Sequence, residues 1–117
     1  LWKPSYIQYG REEEIDQNYN RIVIGVDPAI TCHEDSDETG IIVAAMGKTG
    51  KAYVLDDLSG RYDPSQWSNI VKEAYHHYGA DRVVAEVNQG GDMVEHTLRV
   101  VDSTISYKGV RATRGKY

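Results

Sequence analysis

Ile22-Val23-Ile24-Gly25-Val26-Asp27-Pro28 is the stretch on which the reading of this chain turns. Five apolar residues, three of them β-branched aliphatics in a row, predict a short buried strand. Pro28 ends it, because proline has no N–H to donate to a sheet ladder. The run closes on a carboxylate, and a charge inside an apolar strand is costly unless it is paired or binds a metal. A second run of the same kind, Arg82-Val83-Val84-Ala85-Glu86-Val87, also carries an acid near its end.

The elements between and beyond these two runs predict how they are connected. After the polar loop 28–39 (PAITCHEDSDET), Gly40-Ile41-Ile42-Val43-Ala44-Ala45-Met46 is a second apolar strand. Lys48-Thr49-Gly50 is a hairpin signal, and Lys51-Ala52-Tyr53-Val54-Leu55-Asp56-Asp57 is the returning strand. A helix follows. Asp63 is its N-cap, Pro64 suits the first helical position and Gln66 completes a capping box. Trp67, Ile70, Val71, Ala74, Tyr75 and Tyr78 line one face, and Gly79 ends the helix. Beyond Glu86 the turn Asn88-Gln89-Gly90-Gly91 leads to a second helix, with Asp92 as N-cap, Glu95 at the capping-box position and Val94, Leu98 and Val101 on one face. Residues 105–112 predict a last strand, and Arg114-Gly115-Lys116-Tyr117 is a basic end. The order β-β-β-α-β-α-β predicts a mixed α/β sheet, with a hairpin first and right-handed βαβ units after it. In such sheets sites form at the carboxyl ends of neighbouring central strands.

At 117 residues the chain is long enough for one domain. Residues 1–20 read as a linker or the remnant of an upstream region, and 21–117 as the domain. Because the first residue is Leu1, a fragment, processed product or excised domain is expected. No apolar run approaches the roughly 20 residues of a membrane span, and nothing resembles a signal peptide, so no membrane partner is expected. One cysteine, Cys32, permits no internal disulfide and suits a reducing compartment. With His33 it has no second Cys or His at ligand spacing, which speaks against zinc. His76 and His77, late on the first helix, read as surface residues suited to the negative end of its dipole. The net charge of −5 speaks against a simple nucleic-acid-binding module but is compatible with an acidic metal site neutralised by its cations.

If the strands ending in Asp27 and Glu86 are neighbours, their carboxylates converge and repel, and a divalent cation resolves the repulsion. Hard oxygen ligands point to Mg2+ or Mn2+, which suits phosphodiester hydrolysis. The remaining acid with a suitable place is Asp37, in the loop after Asp27; the same residue also reads as a solvated loop acid. The turn Asn88-Gln89-Gly90-Gly91 offers backbone N–H groups and a helix N-terminus to a DNA phosphate. Arg111, Arg114 and Lys116 offer contacts to the DNA backbone.

Val26-Asp27-Pro28-Ala29, then Thr39 to Ala44, then Tyr53-Val54-Leu55-Asp56-Asp57-Leu58-Ser59 occur in a telling order. Ala85-Glu86-Val87-Asn88-Gln89-Gly90-Gly91-Asp92-Met93-Val94-Glu95 is the most specific segment, and Arg111 to Lys116 continues it. This series resembles the C-terminal nuclease domain of bacteriophage terminase large subunits over roughly residues 21–117. The resemblance implies a ribonuclease H-like fold and an endonuclease that cuts double-stranded concatemeric DNA with Mg2+ or Mn2+, two ions in the complete domain. Asp27 would bridge both ions and Glu86 would hold one. The resemblance also implies an ATPase domain on the same polypeptide, a small terminase subunit and a portal as partners, and the host bacterial cytoplasm as the location. Its third acid, an aspartate on a late helix, is not in this sequence, so a C-terminally truncated domain is expected, and the activity of the fragment stays open. No Walker-type phosphate loop is present.

Other readings share parts of the pattern. A Holliday-junction resolvase of the same fold would carry the same acid pair. A sugar-kinase or actin-like nucleotide module also opens on a strand-borne acid, but would want a glycine-rich loop where this chain has residues 28–39. A non-catalytic module that docks DNA or the portal would need neither acid.

Overall fold

The computed structural model describes residues 7–9, 19–28, 38–48, 50–87 and 91–111. The chain forms β1 (Ile7–Tyr9), β2 (Tyr19–Asp27), β3 (Gly40–Gly47), β4 (Ala52–Asp57), α1 (Pro64–His77), β5 (Arg82–Glu86), α2 (Gly91–Val101) and β6 (Tyr107–Val110). One six-stranded sheet runs in the order β1-β4-β3-β2-β5-β6. The β2–β3 and β3–β4 pairs are antiparallel, whereas β2–β5, β5–β6 and β1–β4 are parallel. Strands β2 to β6 with both helices realise the predicted mixed α/β order.

Both crossovers, β4-α1-β5 and β5-α2-β6, move the same way across the sheet. The right-handed rule therefore lays both helices on one face. The buried residues agree. Ile22, Ile24 and Val26 of β2, Ile41, Val43 and Ala45 of β3, and Val83 and Ala85 of β5 form one cluster with Trp67, Val71 and Ala74 of α1 and Val94 and Leu98 of α2. Their alternation leaves Val23, Gly25 and Asp27, with Arg82, Val84 and Glu86, on the opposite face.

Helix α1 begins as its sequence predicts. The Asp63 carboxylate accepts from the Gln66 N–H at 2.8 Å, and the Gln66 side chain accepts from the Asp63 N–H at 2.9 Å. It ends on Tyr78, after which Gly79 takes a left-handed φ of +62°. Trp67, only 2% exposed, is the largest fully buried side chain.

Three boundaries differ from the prediction. Within the segment read as a linker, Ile7–Tyr9 pairs in parallel with Ala52–Val54, and Tyr19 and Asn20 extend β2. Helix α2 starts at Gly91, which puts Asp92 inside its first turn rather than at the N-cap. The last strand is shorter than 105–112, because Ile105 is buried in the helix-side core ahead of β6. Among the described residues no helix is long and apolar enough to cross a membrane.

The two helices are tied at their ends by His76 Nε2 and Asp102 Oδ2, 2.7 Å apart. Asp102 also accepts from the Thr104 N–H and hydroxyl, closing the turn after α2. The His76 contact first, and then the Thr104 bonds, hold the Asp102 carboxyl well below the usual carboxylate range.

Two measurements test this packing. Trp67→Ala should cost about 3–5 kcal/mol in urea unfolding, because the emptied site lies between the helix and the sheet. A depressed folded-state pKa contributes stability above the unfolded value of about 4 and loses it as the pH falls through the folded value. Asp102→Ala should therefore flatten the fall in stability below about pH 4.

Candidate metal centre at the carboxyl end of the sheet

The β2–β5 register sets the geometry. Val23 pairs with Arg82, Ile24 with Val83, Gly25 with Val84 and Val26 with Ala85. The next residue on each strand, and the last in each, is Asp27 and Glu86. Since Val26 and Ala85 face the helices, the two acids share the opposite face on adjacent strands, which lie about 4.8 Å apart. Asp27 is exposed and Glu86 half-buried, although Ile22 to Val26 before Asp27 are all buried.

Asp81 holds this register at its other end. Its carboxylate accepts from the Ile22 N–H at 2.8 Å, and its own N–H donates to the Ile22 carbonyl at 2.7 Å. These bonds join β2 and β5 one residue ahead of the ladder that ends beside the acids.

Among the described residues neither Asp27 nor Glu86 is ion-paired; the ion pairs present are His76–Asp102 and Glu95–Arg99. Nor, among the described residues, do three or more His, Cys, Asp or Glu side chains gather as a metal cluster. Two adjacent carboxylates fit a hard cation of the Mg2+ type, which is commonly held by one or two carboxylates together with waters and substrate phosphate.

Other expected residues fall at the same end of the sheet. Helix α2 begins at Gly91, just beyond Glu86. Val110 pairs with Glu86, and the exposed Arg111 follows it directly. Asp37, Asn88, Gln89, Gly90, Arg114 and Lys116 lie outside the described residues, as do Cys32 and His33. Gly109 of β6 has a close neighbour: a Cβ there would run into Val87 Cγ1, so the glycine lets the residue after Glu86 pack over β6.

A corner beside Asp27 was not singled out by spacing. Gly40 pairs with Asp27 in the antiparallel ladder. The Ser59 hydroxyl accepts from the Ile41 N–H at 2.9 Å, and the Ser59 N–H donates to Asp57 Oδ1 at 3.0 Å. The Ser59 hydroxyl and then its N–H hold the Asp57 carboxyl below its ordinary value. The sequence signal for this corner is the Asp-x-Ser turn at 57–59, of the kind that folds side chain onto backbone.

A family model for the terminase RNaseH-like domain matches residues 24–117. The chain belongs to that family. Terminase RNaseH-like domains are generally nucleases, and nucleases of this fold generally use divalent metals. The mixed sheet with two helices is an α/β fold consistent with a ribonuclease H-like domain. Strand β1 lies ahead of the segment that matches the terminase RNaseH-like domain. No curated protein matches the sequence.

If Asp81 holds the register, its loss should be felt before any ligand binds. Asp81→Ala should lower stability by about 1 kcal/mol, since it leaves the Ile22 N–H without its acceptor. Amide exchange should quicken at Ile22 and Asp81 before it does in β3. Wild-type protection at both amides would remove Asp81 from this role.

Proposed function

We propose that this domain is the metal-dependent endonuclease of a phage-type DNA-packaging terminase, hydrolysing phosphodiester bonds of double-stranded concatemeric DNA by a two-metal mechanism. The observation that carries this reading is the β2–β5 register, which sets Asp27 and Glu86 side by side on one face at the carboxyl end of the sheet. Membership of the terminase RNaseH-like family supports the same reading.

Asp27 and Glu86 would hold the Mg2+ or Mn2+ ions. When bound, such ions supply a water nucleophile at neutral pH and neutralise charge on the leaving oxygen. The chain's own residues do the placing. A cation answers the repulsion between two carboxylates on neighbouring strands, so the apo protein keeps a locally negative patch that favours the ion. Arg111, exposed beside the Glu86–Val110 pair, supplies a positive charge to the DNA backbone, with Arg114 and Lys116 further along. Asn88, Gln89, Gly90 and Gly91 precede or open α2, whose N-terminus favours a phosphate. Asp37 is the loop acid that would join the metal ligands.

For the wider setting we propose what the resemblance implies. Double-stranded DNA is the substrate. The ATPase domain of the same polypeptide, the small terminase subunit and the portal are the partners, and the host bacterial cytoplasm is the compartment.

The test is cleavage of plasmid DNA by the full terminase polypeptide in Mn2+, compared with Asp27→Asn and Glu86→Gln. Each substitution should lower the rate by roughly a hundredfold or more, as expected when a ligand of a catalytic ion is lost. Linear duplex should be cut as readily as a four-way junction. Undiminished cleavage by Asp27→Asn would falsify the assignment, and a strong junction preference would move it to a resolvase.

A further inference from the structure

On the face that carries the two acids, β3 opens with a glycine directly opposite Asp27. A Cβ at position 40 would lie 3.5 Å from Asp27 Cβ, 3.8 Å from the Asp27 carbonyl oxygen and 3.9 Å from Ser59 Oγ. These are ordinary contact distances, and Gly40 is not among the glycines with positive φ. Neither space nor backbone conformation therefore demands glycine here. What the glycine leaves is a gap one methyl group wide, with Asp27 on one side and the Ser59 hydroxyl on the other.

Both walls of the gap are held. Thr39 and Gly60 exchange backbone bonds of 2.8 and 3.0 Å, and the Leu58 N–H donates to the Ile41 carbonyl at 2.8 Å. These backbone bonds bring the exit of β4 against the start of β3. The Ile41 N–H is the group they do not satisfy, and it is the Ser59 hydroxyl that accepts from it. Asp57 in turn accepts from the Ser59 N–H. Without the hydroxyl a part-buried N–H beside Gly40 loses its acceptor, and the start of β3 is held less tightly against Asp27.

We propose that Ser59 is a positioning residue for Asp27: it fixes the start of β3 so that the Gly40 gap stays open and one side of the Asp27 carboxylate remains accessible to a cation. This rests on the reading of Asp27 and Glu86 as cation ligands. A gap of that width admits one water molecule or one phosphate oxygen bound to a divalent ion held by Asp27. A side chain at 40 would occupy that space; loss of the hydroxyl at 59 would let the wall move.

The test is Mn2+ binding followed by electron paramagnetic resonance on this chain, with Tm measured in parallel. Asp27→Asn should abolish the bound-ion signal. Ser59→Ala should weaken Mn2+ affinity about tenfold, the scale seen when a group orienting a metal ligand is removed. Ser59→Thr, which keeps the hydroxyl, should bind within about twofold of wild type, a small part of that loss. Gly40→Ala should also bind about tenfold more weakly, with Tm unchanged or raised, since alanine fits the site and stiffens the unfolded chain. Wild-type affinity in either Ser59→Ala or Gly40→Ala, with Asp27→Asn inactive in binding, overturns the positioning role and leaves the acid pair standing. Wild-type affinity in Asp27→Asn overturns the acid pair itself.

Discussion

Parallel pairing of β2 with β5 is the constraint from which the rest of this domain follows. The two strands are joined by hydrogen bonds whose spacing admits only whole-residue steps, and the side-chain period is two. A slip of one residue would send Glu86 to the helix face, away from Asp27, and would carry Val83 and Ala85 out of the core. The apolar face and the acidic end are thus specified by the same register. Every contact of Val83 and Ala85 with the helices also holds Glu86 beside Asp27. Asp81 adds a polar anchor at the far end, where β5 begins.

That coupling explains how two carboxylates can end apolar strands. In the middle of β2 or β5 a charged side chain would lie among buried neighbours and meet a large desolvation cost. At the last residue of each strand the cost is small. The chain leaves the sheet there, and Asp27 is exposed although Ile24, three residues earlier, is wholly buried. The site therefore lies where the fold tolerates it: at strand ends and opposite the helices.

Much of the framework could be read from residue types. β-branched runs bounded by Pro or Gly marked β2, β3 and β5, and the Asp63–Gln66 box with Pro64 marked the start of α1 to the residue. These signals are local, and the interactions behind them span four residues or fewer. Strand β1 could not be read this way. Three residues carry no periodicity, and Ile7–Tyr9 pair with a strand more than 40 positions later. A strand so short is a strand because a partner edge is there. The acids were visible as anomalies in apolar runs, but their adjacency depends on a register that no local pattern encodes. Gly40 and Ser59 were legible only as residues, since what sets them apart is distance to Asp27 across two turns of the chain.

The acidic corner is assembled from unlike kinds of restraint. Backbone ladders carry Asp27 and Glu86 to the same level, and they tolerate many side chains, so the strands can vary as long as they remain apolar on the helix face. The corner at Gly40 is less forgiving. Gly40 contributes by lacking a side chain, and Ser59 contributes one hydroxyl that satisfies a single N–H. Neither adds much to the apolar core, whose largest buried members are Trp67, Ile24, Ile41, Leu98 and Ile105. Since packing does not account for Gly40 and Ser59, the proposed role finds their physical reason in the carboxylate of Asp27, which pairs with Gly40 across the ladder.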